Sequence, residues 1–217
     1  MATSKKTESA PVMLPALNIQ HLVLRIVGDT PLISHAWSEK AKLMILNKQT
    51  KKASTGREIR RPAVEFADSL YWLTEKPNLD GLTDEQAQKK IIDILPKSKF
   101  GFPTTAFKAA AIDAAFQQNV VSKKTTLRGA IHIIGEFVEI EGTPTPREDM
   151  VKIGMGTADL RYRAEFKIWA ANLGIKYNAN VVSPEQIATI FNFGGFANGL
   201  GEWRPSRNGT FGTFHVE

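Results

Sequence analysis

Residues 183–216 read SPEQIATIFNFGGFANGLGEWRPSRNGTFGTFHV and contain three features in a row. Ser183, followed by proline and glutamate, predicts a capped helix that runs to about Phe193. Residues 199–212, called the glycine-rich loop below, contain four glycines in fourteen residues. The alternation over 210–216 predicts a closing strand. The chain is therefore expected to end with a helix, a glycine-rich loop and a strand.

Glycine in the glycine-rich loop predicts positive φ angles and the close approach of another chain. These glycines are Gly199, Gly201, Gly209 and Gly212. Arg204 and Arg207 are suited to pairing with phosphate, and Trp203 to stacking on a base or to anchoring in the core. The glycines follow a helix and precede a strand, which is the wrong context for a dinucleotide-binding fingerprint, and no Gly-Lys-Ser or Gly-Lys-Thr of a P-loop is present.

Upstream of this region, residues 19–27 are apolar on nearly both faces and predict a buried central strand. Residues 103–116 predict a helix with a stripe of small apolar residues that suits close packing on a sheet. The stripe consists of Phe107, Ala110, Ala111, Ala114 and Ala115. The other predicted strands are 128–134 and 136–140, joined at Gly135 as a hairpin or a bulge, and the pair 165–169 and 175–178. Residues 142–152, with two prolines, are expected to form a loop.

The strong elements follow one another as strand, helix, strand, strand, helix, strand. This is the ferredoxin-like (RRM-like) βαββαβ order, so the predicted fold class is α+β with an antiparallel sheet. Residues 29–100 are then a long helical and basic insertion after the first strand, and 142–164 a shorter one. We expect residues 1–16 to form a flexible tail and 17–217 to form one domain.

Composition narrows the class of protein. The chain has 217 residues, is 42% hydrophobic and has no cysteine. Wholesale disorder, a disulfide scaffold and thiolate metal sites are therefore excluded. No apolar run approaches the roughly 20 residues of a membrane span, and no apolar signal segment is visible near the N-terminus. We expect a cytoplasmic protein without a membrane partner or a cofactor.

The positive charge is concentrated in one segment. Residues 38–61 contain eight cations and two acids, and so carry the whole net charge of +6. The cations expected to bind nucleic acid are Lys48, Lys51, Lys52, Arg57, Arg60 and Arg61. A local basic segment favours a polyanionic partner, since neutralising phosphates gives the sequence-independent part of nucleic-acid affinity. The alternative is a solvated loop whose cations keep the protein soluble.

Catalytic residues are harder to find. Asp29 and His35 follow the first strand and are the candidate catalytic residues, although one carboxylate and one histidine are fewer ligands than a metal site needs. Asp29 equally suits a turn before Thr30-Pro31. Arg161 and Arg163 share one face of an extended segment and suit either a phosphate track or salt bridges with neighbouring acids.

Three segments resemble the RAMP superfamily, the backbone subunits of CRISPR effector complexes and their relatives. They are the first strand and its exit (22–33), the helix entry Phe102-Pro103-Thr104-Thr105-Ala106-Phe107-Lys108-Ala109-Ala110, and the glycine-rich loop. Ala109 stands where the family often has glycine. The Gly-x-Gly-x-Trp-Arg-Pro pattern is most similar to that of compact phage- or prophage-encoded members.

The resemblance implies a protein that binds single-stranded RNA or DNA by contacts to its backbone, in a bacterial host cell. It also implies a possible homo-oligomer or filament, a row of subunits along one strand. The resemblance adds Lys108 to the expected nucleic-acid contacts, beside Gly199, Gly201, Trp203, Arg204 and Arg207. Two alternatives stay open: a metal-dependent ribonuclease of the same fold, and an interaction protein, such as a counter-defence factor, that does not bind nucleic acid.

Overall fold

The computed structural model describes residues 16–37, 39–50, 60–153 and 157–217. Its strands are β1 (Ile19–Gly28), β2 (Leu32–Ser34), β3 (Tyr71–Trp72), β4 (Phe100–Pro103), β5 (Ile131–Ile133), β6 (Phe137–Glu141), β7 (Pro144–Ile153), β8 (Thr157–Phe166), β9 (Ala170–Asn178) and β10 (Phe214–Val216). Its helices are α1 (Glu39–Gln49), α2 (Pro62–Asp68), α3 (Asp84–Ile94), α4 (Thr104–Gln117), α5 (Lys124–Ala130) and α6 (Pro184–Phe193). The predicted α+β class with antiparallel sheets is confirmed.

The main sheet has seven strands in the order β10-β1-β9-β6-β4-β3, with β5 also beside β9. All of its pairs are antiparallel. The longest pair joins β1 to β9, from Ile19 opposite Asn178 to Val27 opposite Ala170. The sheet is therefore centred on two neighbouring strands from opposite ends of the chain.

Strand β1 is buried on one face only. Leu24 and Ile26 are in the core, whereas Val23 is 73% exposed. The expectation that this strand is buried on both faces is therefore wrong. Its outward positions continue across the sheet to Asn172 and Lys176 of β9, which are also exposed. One face of the main sheet is thus open to solvent near its centre.

Strands β5 and β6 form one interrupted strand. Both run antiparallel to β9, with Ile131 opposite Tyr177 and Ile140 opposite Ala171. Gly135 lies between them with a φ of +90°. From the sequence, either a hairpin or a bulge was expected at this glycine. Because both strands pair with β9, the interruption is a bulge.

A second sheet, in the order β2-β8-β7, was not predicted. The segment expected to be a loop, 142–152, lies mostly in the ten-residue strand β7, which pairs with β8 along its whole length. The expected pairing of 165–169 with 175–178 is also wrong, because Phe166 ends a strand of the second sheet and Ala170 begins β9 of the main sheet. The predicted insertion 29–100 likewise contains strands β2 and β3 besides its helices.

The second sheet was not predicted because β7 contains two prolines and because one face of the sheet is charged where apolar residues would be expected. Arg147 lies opposite Arg163 in the register. Arg147 pairs with Asp149 at 2.9 Å and with Glu165 at 2.7 Å, and Arg163 pairs with Asp149 at 3.5 Å. Asp149, Arg163 and Glu165 are each at most 9% exposed. Buried charges must be paired in this way, since burying an isolated charge is very costly.

The helices predicted over 103–116 and from Ser183 to about Phe193 are confirmed as α4 and α6. Ser183 caps α6 and Thr83 caps α3, each in a capping box with a glutamine three residues later. All five residues of the predicted small-residue stripe on α4 are buried. The ring of Phe107 on α4 lies 6.0 Å from that of Phe102 on β4 and 6.4 Å from that of Phe214 on β10. These contacts place α4 on the inner face of the main sheet.

Helix α4 also packs closely on the turn that follows α6. A Cβ on Gly194 would lie 2.8 Å from Cα of Ala111, so only glycine fits there without a shift. The amide of Asn198 donates to the carbonyl of Ala110 at 2.8 Å. The glycine-rich loop consequently starts from a point fixed against α4.

Within the described ranges, no helix combines the length and the apolar character that a membrane span requires.

The ionic face of the second sheet gives a stability prediction. Asp149→Ala leaves Arg163 buried without its carboxylate partner, and we expect the free energy of unfolding to fall by about 3–5 kcal/mol. The measurement is urea unfolding followed by circular dichroism. Met150→Ala is the matched control, since Met150 is the next residue and is 71% exposed. Equal losses in the two variants would show that the buried ion pairs are unimportant for stability.

Candidate functional site: a cleft beside the glycine-rich loop

The glycine-rich loop lies along the free edge of β2. The backbone amide of Glu202 donates to the carbonyl of Ile33 at 3.1 Å, and that of Gly212 donates to the carbonyl of Pro31 at 2.9 Å. Within the loop, the amide of Leu200 donates to the carbonyl of Gly212 at 2.9 Å. These bonds join the two ends of the loop to each other and to the second sheet.

Three of the four glycines have the predicted left-handed backbone. The φ angles of Gly199, Gly201 and Gly212 are +62°, +72° and +69°. Gly209 differs, since its φ lies outside the left-handed region. There a Cβ would collide with the carbonyl of Trp203, so close approach of the backbone requires the glycine. The loop thus uses glycine for both reasons that the sequence suggested, at different positions.

A cleft of about 300 Å³ opens between the glycine-rich loop, the end of β2, β3 and α4. Aromatic and small side chains from β3, β4 and α4 line part of it: Tyr71, Phe102, Ala106, Ala109 and Ala110. Polar groups from α4, β2's exit and the loop line the rest: His35, Asp113, Gln117, Asn198, Glu202, Arg204 and Ser206. Residues far apart in sequence therefore line one small cavity that has both apolar and polar walls.

The central polar contact in the cleft joins His35 to Glu202. The Nδ1 atom of His35 lies 3.0 Å from Oε1 of Glu202. This hydrogen bond lowers the pKa of Glu202, against the opposing effect of burial, and the charges of Arg163 and Arg204 act in the same direction. Burial, followed by the charge of Glu202, raises the pKa of Tyr71. At neutral pH the cleft therefore contains a carboxylate beside a neutral phenol.

The two arginines of the glycine-rich loop have different environments. Arg204 donates from Nη1 to the carbonyl of Gly201 at 2.7 Å and from Nε to Oγ of Ser206 at 3.0 Å. Arg207 is exposed, and its side chain makes no hydrogen bond or ion pair with any described residue. Trp203 is 39% exposed and has a φ of +53°. Arg204 thus braces the loop, while Arg207 and part of the Trp203 ring face solvent.

The candidate catalytic residues do not meet. Oδ1 of Asp29 lies 2.6 Å from Nδ1 of His215 on β10, whereas His35 contacts Glu202. Among the described residues, no group of three or more His, Asp or Glu side chains is arranged to hold a metal ion. Each candidate has a single partner on a neighbouring element.

The basic segment is described only at its ends. Lys51, Lys52 and Arg57 lie outside the described residues, as does the side chain of Lys48 in α1. Arg60 pairs with Glu65 at 2.8 Å and with Asp159. Arg61 donates to the carbonyls of Leu79 and Leu82 at 3.3 and 2.6 Å. Arg60 and Arg61 therefore fasten this segment to the rest of the fold.

The arginines on β8 likewise form ion pairs. Arg161 pairs with Asp159 at 2.9 Å, which is one of the salt bridges considered from sequence. Arg163 pairs with Asp149 instead of Glu165, whose partner is Arg147. The structural interpretation of these two arginines therefore fits better than the phosphate track.

A group of cations on α4 and around the start of α5 contacts the cleft through Lys124, and only Lys108 among them was expected from the sequence. The ammonium of Lys108 donates to the carbonyl of Arg128 at 2.8 Å, and burial, then the charge of Arg128, lowers its pKa. Lys124 pairs at 2.9 Å with Asp113, a residue of the cleft. Lys123 and Arg128 are exposed and make no side-chain ion pair with a described residue. Lys123, Lys124 and Arg128, two adjacent lysines and an arginine one helical turn on, were the available sequence signal.

No family model and no curated protein matches the sequence. Among solved structures, the crystal structure of Cmr6 from Pyrococcus furiosus is similar, with 11% sequence identity over 93% of this chain and 100% of that chain and a TM-score of 0.35. A likeness at this level carries no inference about ligands or activity.

Gly201 and Gly81 provide a matched test of the loop. Both have a φ of +72°, but a Cβ at Gly201 would collide with the carbonyl of Ile33, whereas Gly81 has open space around it. Gly81→Ala is expected to lower the free energy of unfolding by about 1 kcal/mol, because of its backbone conformation alone. Gly201→Ala is expected to lower it by at least about 1 kcal/mol more, because the loop must shift. Urea unfolding of both variants measures the difference, and equal losses would contradict the close approach.

Glu202 gives a pH prediction. Its pKa is lowered in the folded protein, so its charge stabilises the fold above its unfolded pKa of about 4.3 and this contribution is lost as pH falls through the lowered folded value. The melting temperature of the native protein should exceed that of Glu202→Gln at pH 7, and the gap should close on acidification below pH ~4. Glu136→Gln, at an exposed site without an ion pair to any described residue, is the control. A gap that persists unchanged at low pH would contradict the role of the charge.

Proposed function

We propose that this protein binds single-stranded nucleic acid across the cleft beside the glycine-rich loop, holding the strand mainly by its phosphates. The observations that carry the proposal are an exposed arginine, without an ion pair to any described residue, next to the cleft in sequence and a basic group that contacts the cleft through Lys124. Arg207 directly follows Ser206 of the lining, and Lys124, which pairs with Asp113 of the lining, has Lys123 before it and Arg128 one helical turn after it. A strand crossing the cleft has phosphates on either side of the base that it places there.

Five other arginines already form ion pairs within the fold, which supports the cleft as the binding site. Arg25, Arg60, Arg147, Arg161 and Arg163 all form ion pairs within the fold. Cations already paired with carboxylates contribute little to binding a polyanion, because each pair must be broken first. Arg207, Lys123 and Arg128 have no such pair among the described residues, and Trp203 offers an exposed ring surface for stacking.

The open face of the main sheet is a poorer candidate. RRM-like proteins stack bases on aromatic side chains of the sheet. The central outward positions here are His21, Val23, Arg25, Asn172 and Lys176, none of which is Phe, Tyr or Trp. Arg25 is held by Glu141 at 2.9 Å and by Glu217 at 3.0 Å. This face lacks the stacking platform, and Lys176 is the one exposed cation without an ion pair to a described residue among these central positions.

The proposed fold for this function is a ferredoxin-like core of RAMP type. The order β10-β1-β9-β6, with α4 between β1 and β6 in sequence and α6 between β9 and β10, supports it. A row of subunits on one strand, in a bacterial cell and encoded by a phage or prophage, belongs to the same proposal. Gene neighbours concerned with recombination or with CRISPR would distinguish the cellular roles.

The test measures the salt dependence of binding. A fluorescently labelled oligo(U) of twelve nucleotides and its DNA counterpart are titrated with the native protein and with the triple variant Lys123→Ser, Arg128→Ser, Arg207→Ser. Each lost phosphate contact reduces the slope of log affinity against log salt by about 0.7, so the triple variant should lose about 2 in slope.

The matched control replaces Lys89, Lys97 and Lys167 by serine, which removes the same charge from exposed positions that do not line the cleft. This control should keep its slope within about 0.7 of the native value. Equal slopes for the two triple variants would overturn the cleft as the binding site. Absence of salt-dependent binding by the native protein would favour the interaction protein without nucleic-acid binding.

The basic segment requires its own variant. Lys51→Ser, Lys52→Ser and Arg57→Ser together should reduce the slope further if these side chains reach the strand, again by about 0.7 for each contact. The melting temperature of this variant is compared with the native value to verify that it is folded. An unchanged slope in the folded variant would leave the segment with a role in solubility alone.

A further inference from the structure

The interior of the cleft is rich in hydrogen-bond acceptors, in contrast to its surroundings. Its lining has two carboxylates, Asp113 and Glu202, and one guanidinium, Arg204. Asp113 forms an ion pair with Lys124, which does not itself line the cleft. A phosphate placed inside would face these carboxylates at short range, so the cations nearby are better suited to phosphates at the rim. The interior must take a different part of the ligand.

Glu202 and Arg204 retain unused hydrogen-bonding capacity towards the cleft. His35 occupies Oε1 of Glu202, whereas no described residue bonds to Oε2. Arg204 uses Nη1 and Nε within the loop, and its Nη2 has no partner among the described residues. The lowered pKa of Glu202 keeps it an acceptor at neutral pH. The cleft therefore presents a carboxylate acceptor and a guanidinium donor from residues two apart on one loop.

The size and walls of the cleft suit a single planar ring system. Its volume of about 300 Å³ is at the lower end of small-molecule sites, which range over about 300–1,000 Å³. Tyr71 and Phe102 form an aromatic wall, with ring centroids 5.7 Å apart. Ala106 and Ala109 contribute small side chains to the lining. Bases splayed from a single strand are recognised by stacking and by hydrogen bonds to their edges.

We infer that the cleft binds one guanine base of the strand, read at its Watson–Crick edge by Glu202 and Arg204; this inference rests on the proposed function. Guanine presents two adjacent donors, N1–H and the 2-amino group, followed by the acceptor O6. Glu202 accepts from the donors and Arg204 donates to O6. Adenine, cytosine and uracil each lack the pair of adjacent donors, so a carboxylate meets an acceptor or an empty position on their edges.

The experiment compares labelled oligo(U) of twelve nucleotides with versions that have one central G, A, C or inosine, by fluorescence anisotropy at fixed salt. A well-made bidentate contact discriminates between bases by about fivefold or more. We expect the G-containing oligonucleotide to bind at least about fivefold more tightly than the A-containing one. The oligonucleotide with inosine, which lacks the 2-amino group, should lose most of this advantage. This comparison tests the contact with the native protein alone.

Two variants assign the preference to the cleft. In Glu202→Gln the ratio of affinities for G and A should fall to near one, since an amide nitrogen meets a donor on the base. Glu139→Gln changes an exposed carboxylate on the open face of the main sheet, paired with Lys99, and should keep the native ratio. Circular dichroism at the assay temperature verifies that both variants are folded, and the inosine result stands independently of either.

Equal affinities for the G, A and inosine oligonucleotides would overturn the guanine site while leaving the proposed function intact. A preference for G that persists in Glu202→Gln would also overturn the assignment. If no oligonucleotide binds, the proposed function fails, and calorimetric titration with GMP and AMP becomes the test. Binding of GMP in preference to AMP, abolished in Glu202→Gln, would support the guanine site even then, and no preference would end it.

Discussion

The backbone of Gly201 approaches the carbonyl of Ile33 more closely than any side chain permits, and the architecture around the cleft depends on this contact. It allows the amide of Glu202 to bond to the edge of β2, which positions the Glu202 carboxylate beside His35. The same loop begins at a turn packed on α4 and ends in β10 of the main sheet. A single loop thus connects both sheets and a helix, and the cleft is the space left between them.

Charge in this protein is divided between two uses. Arg147 and Arg163 of the second sheet form ion pairs that hold elements together, and so does Arg60 with Glu65. A second group, Arg207, Lys123 and Arg128, is exposed and makes no ion pair with a described residue. Arg147 illustrates the first use most fully, since its guanidinium also lies 4.6 Å from the centre of the Phe211 ring and so packs under the glycine-rich loop. The number of cations in the sequence alone does not separate the two groups.

The sequence predicted features governed by local rules and missed those that depend on distant partners. The capped start of α6 and the buried stripe of α4 followed from short spacings. Strand β7 was missed because it contains two prolines and because its inward residues are charged. Only their pairing with β8 makes their burial possible. The cleft was missed for the same reason, since His35, Tyr71 and Glu202 meet only after three segments have folded together.

The edges of the second sheet are protected in two different ways. The glycine-rich loop covers β2, whereas β7 leaves ten residues of backbone at the outer edge. Long open edges invite pairing with another chain and lead to aggregation. Pro144 and Pro146 remove two amide donors from this edge, and the charged residues that follow disfavour an incoming strand. The prolines that led to the prediction of a loop therefore disfavour the pairing of another chain with this end of β7.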